Sequence, residues 1–164
     1  MNRDPIAQLE RDRLHRAAQA GDLARVDDLI ERKFSIDCFD DIGKTPLHYA
    51  VQDNRLEVVK RLIEAGANVN AHDERWIGNT PLSDNVRECT YEMVKVLIDA
   101  GADPTIRGWM QLNAINRALE RKDANARKIV RLLEGAACIT KHCNGPAGRS
   151  GSCDSKPAKR PAGR

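Results

Sequence analysis

The chain has 164 residues, 41% hydrophobic and 31% charged, with a net charge of +3 and only two each of Trp, Tyr and Phe. That size supports one domain with an aliphatic core plus a tail, and argues against a two-domain enzyme. From Cys138 onward six Lys or Arg face one acid, which leaves 21 basic against 23 acidic groups before it, the wrong balance for a phosphate-binding body.

Residues 1–16 hold Arg3, Asp4, Glu10, Arg11, Asp12 and Arg13, which break any apolar run before a secretion signal could form. No stretch of 18 apolar residues follows, so no transmembrane segment is expected and the expected location is cytoplasmic. Five cysteines at irregular spacing do not form a secreted disulfide framework.

In chain order, Leu14, Leu47, Leu82 and Ile115 recur at steps of 33, 35 and 33. Val26, Val59, Val94 and Ile129, and likewise Leu29, Leu62, Leu97 and Leu132, step by 33, 35 and 35. Apolar residues three and four apart around Leu47 and again around Val59 predict two short helices in each unit. Thr45-Pro46 and Thr80-Pro81 are helix-start signals, and Gly66 and Gly101 are helix stops.

Thr45-Pro46-Leu47-His48-Tyr49-Ala50, followed by Val58-Val59 through Leu62 to Gly66-Ala67-Asn68-Val69-Asn70, closely resembles the ankyrin repeat. The unit from Thr80 to Asp103 resembles it nearly as well, and those beginning at Leu14 and Ile115 are degenerate forms. The resemblance implies an all-α ankyrin-repeat solenoid of about four helix-turn-helix units, with hairpin-like finger loops. The units are placed at about 12–44, 45–79, 80–112 and 113–137, giving a repeat domain over 1–137 and a disordered basic tail over 138–164. Ser83 and Asn85 replace the usual His and Ala of the third unit, predicting a shortened helix there. The fourth unit lacks Thr-Pro and carries about two extra residues near 122–126.

Such a chain is expected to bind another protein, not a small-molecule substrate, through its fingers and the concave face of its first helices. The fingers at 37–44, 70–79 and 105–111 carry Phe39; Arg75, Trp76 and Ile77; and Arg107, Trp109 and Met110. Trp and Arg are the residue types that most often dominate interface energies; the alternative is that each Trp folds back and stiffens its finger, and the two extra residues near Trp76, which enlarge that finger, favour the anchor reading there. The concave row starts with Arg16, Tyr49, Asp84 and Arg117 and continues with Gln19, Gln52, Arg87 and Glu120. Tyr49, Arg87 and Arg117 complete the candidate contact set.

His48 and His15 occupy a motif position that hydrogen-bonds between units, and His72 has no nucleophile at a triad spacing, so no catalytic residue is expected. Cys138, His142, Cys143 and Cys153 have no zinc-site spacing, and neither a metal nor a cofactor is expected. Residues 101–112 are similar to those of small stand-alone bacterial ankyrin proteins, some of which neutralise toxins or regulate enzymes by occlusion, so an immunity or regulator role is one alternative. Nucleic-acid or membrane-surface association through the basic tail is another.

Overall fold

The computed structural model describes residues 5–75 and 78–143, with side chains described from 12 to 139. Among these residues there are eight α-helices: α1 Pro5–Ala20, α2 Leu23–Glu31, α3 Pro46–Gln52, α4 Leu56–Glu64, α5 Pro81–Asn85, α6 Tyr91–Asp99, α7 Ala114–Ala118 and α8 Ala126–Cys143. They pair as four helix-turn-helix units. The first helices α1, α3, α5 and α7 stack in order, while α2 packs on α4 and α6 on α8, so the chain is a helical solenoid.

Local chemistry sets each helix start. Thr80 accepts from the Ser83 amide while Ser83 Oγ accepts from the Thr80 amide, a reciprocal cap that Pro81 follows at the first helical position. Asn113 and Asn116 build the same cap without Thr-Pro in the fourth unit. Helix α5 has five residues against seven in α3, the shortening expected from Ser83 and Asn85. Asn85 turns its amide back to the Pro81 carbonyl, 3.1 Å away, where an alanine would pack.

Val26, Val59, Val94 and Ile129 are all fully buried, as are Leu14, Leu47, Leu82, Leu62 and Leu97. The tracks slip in the last unit. Leu133, not Leu132, is the fully buried leucine of α8, and Ile115 is only half-buried. Ile129, Val130 and Leu133 reproduce the spacing of Val58, Val59 and Leu62, so the insertion ahead of α8 is one residue longer than the sequence tracks imply. Gly135 does not stop this helix: α8 runs through Cys143, six residues past the expected boundary at 137, and Ala137 is buried. The remainder of the expected tail, 144–164, and the alternatives built on it lie outside the described residues.

Among the described residues no helix is long and apolar enough to cross a membrane.

Candidate functional site

A chain of hydrogen bonds ties the units together along the finger bases. His15 Nε2 lies 3.1 Å from the carbonyls of Cys38 and Lys44, and His48 Nε2 donates to the carbonyl of Asn79 at 3.0 Å. Lys44 and Asn79 each directly precede a Thr-Pro start, so each histidine reaches the threshold of the next unit. The Nδ1 of His48 accepts from the Thr45 amide, which uses both ring nitrogens. Burial outweighs the Asn79 carbonyl bond and the Asp84 charge and pushes the His48 pKa down to about 4, and the ring is a neutral structural bridge.

Ser83 is too short to make the corresponding bridge, and Asn79 replaces it. Its Oδ1 accepts from the Trp109 amide at 3.0 Å and from Arg117 Nη2 at 3.1 Å, while its Nδ2 donates to Asp84 at 3.0 Å. Asp84 in turn pairs with Lys44 at 2.9 Å. Burial alone would raise the Asp84 carboxyl, but Lys44 and the Asn79 amide outweigh it and hold the pKa below the ordinary carboxylate range. Lys44 also donates to Gln52.

Above these bases the first and third fingers are hydrogen-bonded turns, with no strand among the described residues. The Asp40 amide donates to the Lys44 carbonyl and, in the same register, the Gly108 amide to the Leu112 carbonyl. The register aligns Asp41-Ile42-Gly43 with Trp76-Ile77-Gly78 and Trp109-Met110-Gln111. Gly43 and Gly78 adopt φ of +76° and +64°, and Gln111 takes the same left-handed conformation at +58° beside Met110 at +60°. Two consecutive left-handed non-glycine residues hold Trp109 and Met110 outward, 58% and 66% exposed, and Ile42 on the first finger is 49% exposed. Gly108 is required by close approach: a Cβ there would lie 2.1 Å from Asn79 Oδ1.

The other expected contact residues divide. Arg107 is exposed. Arg75 is exposed and braced by two bonds to the buried carboxylate of Asp73, at 3.0 and 2.7 Å, and those bonds lower the Asp73 pKa. Arg87 is exposed and pairs with Glu120 across the last two units. Phe39 is half-buried. Tyr49 is part of the concave wall: its hydroxyl donates to Asp40 at 2.7 Å and its ring meets His15 edge-on. Burial and the Asp40 bond push its pKa up to about 12. With Asp12, Arg16 and Gln19 it lines a recess of about 210 Å³.

Arg117 is a correction. Expected on the outward concave row, it is buried, because the guanidinium turns inward to Asn79, whose side chain makes the link between the third and fourth units that Ser83 is too short to make; its Nε has no acceptor among the described residues. Trp76 and Ile77 lie outside the described residues.

Sequence reasoning missed Asn79, Lys44 and Asp84 as one network, and Ile42 as a finger tip. The alignment of Ile42, Ile77 and Met110, at steps of 35 and 33, was the available signal for the tip. Arg121 was also missed: it joins Asp123 and donates to the carbonyls of Val86 and Cys89, fastening the last unit to the end of α5.

Residues 14–108 match the family model for ankyrin repeats, in three copies. The match spans the three units with the clearest periodicity and ends just before Trp109, leaving the fourth unit outside it.

Proposed function

Because the chain belongs to the ankyrin-repeat family, we propose that it works by gripping a partner protein along its finger tips. Ile42, Trp109 and Met110 are the apolar anchors, and Arg107 and the braced Arg75 form the polar rim. Ankyrin repeats generally mediate protein–protein interaction. The observation that carries the finer reading is the third finger, where the exposed Trp109, its amide held by Asn79, is followed by the exposed Met110 on left-handed backbone. Strained backbone persists where its surroundings over-determine it, and such places cluster at binding sites. A tip fixed in advance loses little side-chain freedom on binding. Where the gripped surface is the partner's own working site, the same grip inhibits it by occlusion.

The test is Trp109→Ala combined with Met110→Ala. Partners captured from the source cells by the wild-type chain are titrated against the variant, while its melting temperature is measured. Affinity should fall by about 2 kcal/mol or more with melting nearly unchanged. Full affinity in the folded variant would remove the third finger from the interface.

A further inference from the structure

The solenoid has a second unused surface, at its C-terminal end. In the inner units Val51 and Val86 end the first-helix turn, Val59 and Val94 line the second helix, and all four are fully buried, partly by the unit that follows. The equivalent residues of the last unit are Leu119 and Val130. Among the described residues no unit covers them: Leu119 is 64% exposed and Val130 is half-exposed. With Ala118 as floor, they line an open groove of about 370 Å³ between α7 and α8. On its α8 side Arg127 and Arg131 stand one turn apart, both exposed, and neither forms an ion pair among the described residues. Like charges at that spacing repel and are relieved by acidic groups laid against them.

We propose that this groove docks an acidic amphipathic helix of another protein, with apolar residues seated on Leu119 and Val130 and flanking carboxylates on Arg127 and Arg131. A helix is favoured because the groove occupies the place where the helices of a further unit would stack, which calls for apolar residues three and four apart.

Two nearer occupants fit worse. Residues 144–164 contain no Leu, Ile, Val, Met or aromatic residue and carry five basic groups against one acid, so they lack both the apolar side chains and the charge. A second copy stacked head to tail would present the opposite end, where Arg13, Arg16 and Arg25 outnumber Asp22 around a recess of about 350 Å³. Two copies joined end to end would bring Arg127 and Arg131 of both into one interface, with Glu134 as the one acidic residue lining each groove among the described residues. Like charges juxtaposed across an interface select against that pairing.

The experiment uses the full chain and two labelled model helices with the same leucine stripe, one flanked by Glu and one by Lys, followed by fluorescence anisotropy in low and physiological salt. The Glu helix should bind at least tenfold more tightly than the Lys helix, and more weakly as salt screens the arginines. Leu119→Asp, and separately Arg127→Glu with Arg131→Glu, should each weaken it tenfold or more. These side chains are solvent-facing, so an unchanged circular dichroism melt verifies the fold. Trp109→Ala should leave this binding unchanged, which separates the groove from the finger tips. Equal binding of the two helices, indifference to Leu119→Asp, or tighter binding of a 20-base-pair DNA duplex that the Arg variant abolishes would overturn the proposal. So would a dimer in sedimentation equilibrium that Leu119→Asp dissociates.

Discussion

The second and fourth units have the same helix-turn-helix plan but secure it with different chemistry. In the second, Leu47, Val51, Val59 and Leu62 are all buried, and a neutral imidazole bridges to the next unit. In the fourth, Ile115 is half-buried, Leu119 faces solvent, and the bridge is a buried guanidinium with one nitrogen unpaired. A unit packed on both sides can rely on apolar area, while a unit packed on one side relies on polar ties such as Arg117 to Asn79 and Arg121 to the end of α5. Stability should therefore be concentrated in the middle of the array, because each unit draws its burial from its neighbours.

The largest effect is expected from cutting that middle. Leu62→Ala should cost roughly 2–5 kcal/mol, since the cavity is walled on both sides and cannot relax. Leu133→Ala removes an equally buried leucine from a one-sided unit and should fall near the lower end of that range. Urea titration followed by circular dichroism measures both. Equal losses would show that the end unit is packed as rigidly as the middle.

Acid should attack the same junction selectively. The pKa of His48 lies near 4 when folded against an ordinary value of 6.5, so the unfolded chain binds the proton first. The neutral bridge contributes fully above pH 6.5, and its contribution is lost as pH falls from 6.5 towards 4. Each tenfold weakening of proton affinity is worth about 1.36 kcal/mol, so the whole contribution is about 3 kcal/mol. Urea midpoints across that window should drop for the wild-type chain and stay flatter for His48→Gln. Parallel slopes would mean that His48 is not the titrating group.

The contrast between units also governs what the sequence reveals. Where Thr-Pro-Leu recurs, period and packing coincide, and the placement of Leu47, His48, Val59 and Leu62 follows directly. In the fourth unit the tracks count residues but do not see the longer turn ahead of α8, so Leu132 is chosen over Leu133. Arg117 reads as solvent-facing because its inward turn depends on the side chain of Asn79, a residue 38 positions away. Finger residues such as Trp109 can be nominated from composition, but their exposure depends on backbone conformation that no periodicity encodes.

Asn79→Ala tests whether that substitute bridge matters. It removes the acceptor shared by Trp109 and Arg117 and the donor to Asp84. A loss of roughly 1–3 kcal/mol is expected, the cost of stranding buried polar groups. The third finger should also loosen, which an increase in quenching of Trp109 fluorescence would report. A stable variant with unchanged quenching would leave the finger held by its own turn.

The smallest effect is a gain. Left-handed backbone ends the second helix at Gly66 and Gly101 and closes the finger at Gly43 and Gly78, and the matching positions of the first unit and of the third finger hold Lys33 and Gln111, at φ of +61° and +58°. A side chain in that conformation crowds its own carbonyl, a strain of about 1–2 kcal/mol that glycine avoids, although glycine's freer unfolded chain offsets part of the gain. Lys33→Gly and Gln111→Gly should therefore each stabilise the protein by about 0.5–1 kcal/mol. The two differ in consequence. Lys33 sits at a helix end remote from the finger tips, so its replacement should raise the urea midpoint and leave partner affinity alone. Gln111 adjoins Met110, and glycine there relaxes the constraint that holds Trp109 and Met110 outward, so its gain in stability should come with weaker binding. Affinity unchanged in Gln111→Gly would show that the anchors do not need the strained backbone.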